Sequence, residues 1–484
     1  MQIQKSVSAQ SVEDFRAAVA DSFDTNGAVL LKLIEALAVG PRAGAPVEVS
    51  ESAVFAYGHD SLYQGQRRAA AALGQEIDSD DWLLALRQAR LAWLAAHPPP
   101  APLRADLGAW KIRILDASNH YRPQVKTVRV GYVHGAEGMK PGIGLSVLAE
   151  RVGAGSWTLP LEITWLPPET GPTSLGAQQM VSAAHGWPSE YVLDVDSQYT
   201  VRPFLEPVSA AGVNVLGRVR NNRVFYLPVE GYQGFGRPAQ LGAKFKLNDP
   251  ATHPPAAVTE KWELATGGRI EARRWSDVRQ KGWAAQPRTL YQVIKYRANG
   301  QPRYKRPLWL LFVAGQPRVA PPVPVAAPPP RETEAVPVVA PTPSRVEPAE
   351  LVPPTPRQAE ASYDERFSIE HAIRFSKQEL GLVSGPFNSL AAEGREQTWV
   401  ELVATAYWLL WVLRGVVDEE NARWPAWWRS RKLTPGALRR LAAGLFLGLD
   451  WHPPEVKPRG KSPGRAAGAT QEPRQRFKVY RATA

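Results

Sequence analysis

The sequence predicts a mixed α/β protein, and three stretches predict it. KIRILD at 111–116 alternates in the period of a half-buried strand and closes on Asp116, so that a carboxylate is expected at the strand's C-terminal tip. EYVLDVDSQY at 190–199 is a second, more apolar strand that ends in Asp194 and Asp196. Residues 363–382, YDERFSIEHAIRFSKQELGL, read as one amphipathic helix.

Ahead of the first strand, residues 10–40 and 60–96 read as helical, broken at Gly40-Pro41 and ended by HPPPAP at 97–102. Residues 1–100 are therefore expected to form a small helical N-terminal domain, either DNA-binding or a cap on the domain that follows. ASNHYRPQVKTVRVGYVHG continues from Asp116 as strand-like and basic sequence. Residues 105–212 then carry both acidic strands. Residues 213–315 are strand-rich and interleave aromatics with Arg218, Arg220, Arg223, Arg237, Lys244 and Lys246, the pattern of a β-rich insertion that grips a nucleic-acid backbone or of a solvated sheet face.

Residues 316–357 are dominated by Pro, Val, Ala and Glu, which cannot build a core, so an extended linker is expected there. Residues 358–450 hold the acidic helix, an apolar helix at 398–417 and a further helix at 433–449 opened by Thr434 and Pro435. The tail, 451–484, is basic and reads as a disordered arm for nucleic acid or a solubilising extension.

A chain of 484 residues is long enough for two or three domains. Its net charge of +12 favours a polyanionic partner. With no cysteine, disulfides, thiolate zinc sites and Cys nucleophiles are excluded, and a reducing compartment fits. The first 25 residues are polar and carry no apolar segment of a signal peptide. Val400–Val417 is the best candidate for a membrane span, but Glu401 and Arg414 interrupt it, so a buried core helix and no membrane partner are expected.

Chemistry enters with the helix at 363–382. At about 100° per residue, Tyr363, Arg366, Glu370 and Lys377 fall within an arc of roughly 60°. Phe367, Ile369, Ile373, Phe375 and Leu380 are left to pack the helix down. One carboxylate among cations on a single stripe suits a metal ligand beside phosphate-binding groups. Strand, loop, strand and a late carboxylate helix is the order of an α/β nuclease core. Carboxylates on separate elements that converge can hold two divalent ions for in-line displacement at phosphorus, and oxygen ligands suit Mg²⁺ or Mn²⁺. Asp116, Asp196 and Glu370 are the three candidates, with Asp194 as the alternative to Asp196. Arg374, one turn past Glu370, is a candidate phosphate contact or an ion-pair partner of Glu370. His120, His134 and His371 lie near these residues in sequence without metal-ligand spacing.

Tyr363, Arg366, Glu370 and Lys377 are separated by two, three and six residues. This resembles the Y-(2)-R-(3)-E-(6)-K signature of DDE transposases from bacterial insertion sequences of the IS-four type. RFSIEHAIRFSKQELGL resembles that family's catalytic-glutamate helix, LDASNHYRP around Asp116 its first catalytic segment, and DSQY at 196–199 its second. GRPAQLGAKFKLNDP and the tail's KPRGKSPGR look like elements of one subgroup, and the resemblance covers roughly residues 105–480.

The resemblance implies a ribonuclease-H-like catalytic core, divided into 105–212 and 358–450 by the β-rich insertion. It implies cut-and-paste DNA transposition, an endonuclease and strand-transfer activity. Two Mg²⁺ or Mn²⁺ ions on Asp116, Asp196 and Glu370 belong to that expectation. So do Tyr363, Arg366 and Lys377 on DNA, terminal inverted repeats and target DNA as partners, a homodimer in the synaptic complex, and a bacterial cytoplasmic, nucleoid-associated location. A catalytically inactive DNA-binding descendant and a metal-dependent nuclease of the same fold are the alternatives.

Overall fold

The structure, a computed structural model, describes residues 7–23, 26–40, 46–52, 54–72, 81–98, 104–121, 130–135, 138–153, 157–184, 187, 190–229, 231, 240–316, 352–383, 395–421, 433–448, 468, 478 and 480. The proline-rich stretch expected as a linker and the basic tail lie almost wholly outside the described residues, as does Arg237.

In chain order the first elements are helices α1 (Val7–Asp21), α2 (Gly27–Val39), α3 (Pro46–Ser50), α4 (His59–Ala72) and α5 (Asp81–Ala96). Strands β1 (Lys111–Tyr121), β2 (Gly131–Gly135), β3 (Gly138–Arg151) and β4 (Thr158–Leu166) follow, then α6 (Pro172–Ala183), β5 (Tyr191–Val195) and α7 (Arg202–Ala210). Next come β6 (Asn214–Val219), β7 (Val224–Tyr226), β8 (Lys244–Lys246), β9 (Val258–Glu263), β10 (Arg269–Gln280), β11 (Trp283–Tyr296) and β12 (Leu308–Val313). Helices α8 (Pro356–Glu365), α9 (Ser368–Gln378), α10 (Arg395–Asn421) and α11 (Pro435–Gly448) close the order. The chain is thus mixed α/β. It divides into two compact units: Met1–Gly176 with Asp194–Asp196 and Ala361–Ala484, and Ala177–Leu193 with Ser197–Glu360.

In the first unit β2, β3, β1 and the Asp194–Val195 end of β5 lie side by side in that order, and β4 follows β2 along the same edge of β3, opposite β1. β1 and β3 are antiparallel from Arg113↔Glu150 to Tyr121↔Gly142, and Asp116 stands opposite Val147. Asp116 is therefore in the middle of a strand and not at its tip. The long partner strand β3 carries the pairing five residues further than the apolar alternation of KIRILD suggests.

α10 is the pillar of this unit. Trp399, Val400, Leu402, Val403, Ala404, Ala406, Tyr407, Trp408 and Leu410 are all buried, so the helix is apolar all round, which only a core position satisfies. It packs on β4, α2, α1, α4 and α11. Trp408 Nε1 donates to Pro160 O at 2.6 Å. By length and composition Glu396–Val417 is apolar enough to cross a membrane, and 83% of its apolar window is buried inside the protein.

The stretch expected as one helix from 363 to 382 is two. Ser368 Oγ donates to the carbonyl of Glu365 at 2.7 Å, and Arg366, Ile369 and Glu370 each bond back only three residues. The serine competes for the carbonyl that a continuous helix would offer Ile369, and α8 ends there. Phe367, expected to pack the helix down, is 48% exposed in the break. Ile369 and Leu380 are buried as the stripe predicts.

The second unit is an antiparallel meander, with β6, β12, β11 and β10 adjacent in that order, β9 and β7 on β10, and β8 on β7. Its core joins Trp309, Trp275 and Phe245, the two indoles 5.6 Å apart. Arg218 is the exposed residue of an otherwise buried β6, and Lys244 is exposed beside the buried Phe245 in β8. After the proline-rich stretch the chain rejoins this unit at Pro354, whose carbonyl accepts from the Tyr291 hydroxyl at 2.7 Å.

Candidate active site

All of the candidate acids lie in the first unit. β1 supplies Asp116, half-buried; the residue after β5 is Asp196, also half-buried; and the first turn of α9 carries Glu370, exposed. Arg366, in the break between α8 and α9, binds two of them. Its Nη1 donates to Asp116 Oδ2 at 3.2 Å, and its Nη2 lies 3.6 Å from Glu370 Oε1. Asp116, Asp196 and Glu370 all act on this guanidinium, so Arg366 stands in the field of three carboxylates. Only 5% of Arg366 is exposed. Burial disfavours its charge, but Tyr363 and the three acids outweigh that and raise its pKa, holding the cation.

Asp116 is the acid most shaped by this setting. Burial pushes its carboxyl above the ordinary range. Arg366 and the Ala117 N–H, which donates to Oδ1 at 2.9 Å, pull the other way, while Asp196 and Glu370 add to the rise. Asp196 contributes a buried Oδ1 with no hydrogen-bond partner among the described residues.

Asp194 in β5 and Asp196 just after it are placed differently, although period two assigns them one face. Asp194 is fully buried and its Oδ2 accepts from Ser362 Oγ at 2.8 Å. Burial raises its carboxyl to about 8. Asp116 feels Asp196 and Glu370. Asp194 is tied instead to Ser362, Arg366 and Glu365.

The remaining residues of the stripe also separate. Tyr363 is buried, with its ring 5.5 Å from the Arg366 guanidinium. Lys377 Nζ donates to the backbone carbonyl of Asn119 on β1 at 2.6 Å, and burial lowers its pKa to about 8. Arg374 is exposed, and the ion pair of Glu370 is with Arg366. Ser362 and Asn119 join this cluster without any sequence signal, since one hydroxyl and one main-chain carbonyl are not distinguishable in a chain of this length.

As a donor set, carboxylate oxygens suit a hard divalent cation, and the orphaned Asp196 Oδ1 is the kind of atom that such an ion satisfies. In this arrangement, however, Arg366 takes the interior of the cluster. Among the described residues no three His, Asp or Glu side chains are grouped closely enough to hold a metal ion.

No protein-family model matches the chain, and no curated protein matches it. Among solved structures it is similar to a cryo-EM structure of a piggyBac transposase synaptic complex with hairpin DNA. The identity is 10% and the TM-score 0.37, over 97% of this chain and 86% of that one. A likeness that loose does not establish a common fold.

Proposed function

We propose that this protein is a DNA transposase of the DDE type, with a ribonuclease-H-like core, that cuts an insertion sequence at its ends and joins them to target DNA. The supporting observation is the meeting of Asp116, Asp196 and Glu370 around Arg366, from three elements far apart in sequence. The spacing of Tyr363, Arg366, Glu370 and Lys377 supports the same reading. Asp116, Asp196 and Glu370 are the residues that would hold Mg²⁺ or Mn²⁺. Bound there, the ions would activate a water or 3′-hydroxyl and steady the leaving oxygen. Arg366 and Lys377 would hold the DNA phosphates, and Tyr363 would support Arg366. Terminal inverted repeats and target DNA are the partners, paired ends call for a homodimer, and the bacterial nucleoid is the place of action.

Strand cleavage on DNA carrying the element's ends, with Mg²⁺, tests this. Wild type should cut, and Asp116→Ala and Glu370→Ala should not. Equal cutting by the variants would overturn the assignment. Supplying a target plasmid separates transposition from simple nuclease action through joined products.

One observation favours a second reading, a non-catalytic DNA-binding descendant. Arg366 reaches both Asp116 and Glu370, so that a guanidinium and not a metal ion stands between these acids. DNA binding that persists in EDTA, with no metal-dependent cutting, is the outcome that reading requires.

A further inference from the structure

Beside the Glu370 stripe of α9 the first unit contains a cavity of about 560 Å³. His371, Arg374 and Gln378 share one helical face and line it, and Arg439 and Arg440 of α11 line it as well. Arg439 is only 8% exposed and is fixed on two sides. Its Nη1 donates to Glu379 Oε2 at 2.9 Å and its Nη2 to Gly40 O at 2.8 Å. Arg374 and Arg440 are exposed, and neither is tied into an ion pair among the described residues. The wall thus carries three guanidiniums against one carboxylate, Glu379, with Phe375 as an apolar patch. At about 100° per residue Arg374 lies roughly 40° around α9 from Glu370, so the cavity adjoins the acid's own stripe.

We propose that this cavity seats the phosphodiester backbone of the nucleic-acid strand next to the point where that strand meets Glu370. Arg374 and Arg440 take phosphate oxygens, Arg439 supplies a fixed charge behind them, and Phe375 lies against a sugar or base. Three guanidiniums spread over two helices suit successive phosphates of a polyanion better than one small anion, and the chain's net charge of +12 points the same way. The proposal rests on the DNA-processing reading and extends its binding surface from one stripe of α9 to two.

Binding of the full chain to a labelled DNA duplex, followed by fluorescence anisotropy in EDTA across a salt series, tests it. Two variants are compared with wild type, each first shown to unfold at the wild-type urea midpoint. Arg374→Ala with Arg440→Ala removes charge. Gly436→Leu keeps every charge and fills the cavity, since a side chain at Gly436 starts 3.8 Å from Phe375 Cε2 and 4.0 Å from Arg440 Nη1. The double variant should bind about tenfold more weakly, with the slope of log affinity against log salt reduced by about 1 per arginine. Gly436→Leu should weaken binding at every salt concentration. Wild-type affinity and slope in both folded variants would overturn the proposal, and a cavity serving a free anion gives that result. Tight wild-type binding with no cutting in Mg²⁺ counts against the transposase reading alone. A wild-type chain that binds no DNA overturns both.

Discussion

Arg90 Nη2 lies 2.7 Å from Glu401 Oε2, and both side chains are withdrawn from water. Arg87, one turn earlier on α5, reaches Glu401 Oε1 at 2.7 Å. Arg90 also donates to Leu161 O at 3.1 Å and to Thr405 Oγ1 at 3.2 Å. The one acid in the buried span of α10 is thereby the anchor of α5, which explains why an apolar helix carries a glutamate. Removing one partner of a buried pair leaves the other charge uncompensated, at a cost of about 3–5 kcal/mol. Glu401→Leu is expected to destabilise by that order in urea unfolding. The triple change Arg87→Met, Arg90→Met, Glu401→Leu should recover much of the loss, and a triple variant as unstable as Glu401→Leu would refute the account.

The same cluster sets an acid limit. Burial, the largest single influence, would raise the Glu401 carboxyl, but Arg87 and Arg90 together outweigh it and hold it below 4.5. Its folded pKa lies below its unfolded one, so its stability contribution is present above about pH 4.5 and is lost as pH falls through the folded value. Urea midpoints from pH 6 down to pH 3 should fall more steeply for wild type than for Glu401→Gln. Parallel curves would refute it.

Lys377 gives the opposite dependence. Burial lowers its ammonium to about 8, below the ordinary 10.5. Charging it in the folded state is costly below pH 8, and stability should rise between pH 8 and pH 10.5 as the folded amine loses its proton first. Lys377→Met should flatten that rise in urea midpoints. If the amine holds DNA, wild-type affinity should also fall as pH passes 8, while the methionine variant binds weakly throughout.

Asp194 and Asp196, at the end of β5 and just beyond it, should separate in strand cleavage. Asp196→Asn is expected to abolish Mg²⁺-dependent cutting while leaving the urea midpoint near wild type. Asp194→Asn should retain cutting, because a buried acid raised to about 8 is mostly protonated at pH 7 and the amide mimics that form beside Ser362. The reverse pattern would move the metal site to Asp194.

Much of this framework is legible in residues. Period-two alternation marks β1 and the β-rich stretch, and the all-round apolarity of 398–417 marks a core helix. The extent of β1 is not legible, because its end is set by how far β3 continues to pair and not by its own pattern. Nor is the break at Arg366, where the Ser368 hydroxyl takes a backbone acceptor within a sequence of good helical periodicity. A helical wheel places Arg366 outward beside Glu370, but turning it onto Asp116 needs a strand 250 residues away, which no local rule supplies. The difference between Asp194 and Asp196 likewise depends on Ser362, whose α8 arrives only through the fold.

The position of α10 in the chain has a consequence for synthesis. α1, α2, α4 and β4 all pack on a helix made more than two hundred residues after the last of them. Until the ribosome has delivered residues 395–421, the faces they turn to that helix have no cover. Domains ordinarily fold from the N-terminal end as they emerge, but this first unit must wait. A product truncated before α10 exposes that surface together with β4's side of the sheet. Shortened copies of this protein are therefore expected to aggregate or be degraded, and to be poor dominant inhibitors of the full-length form.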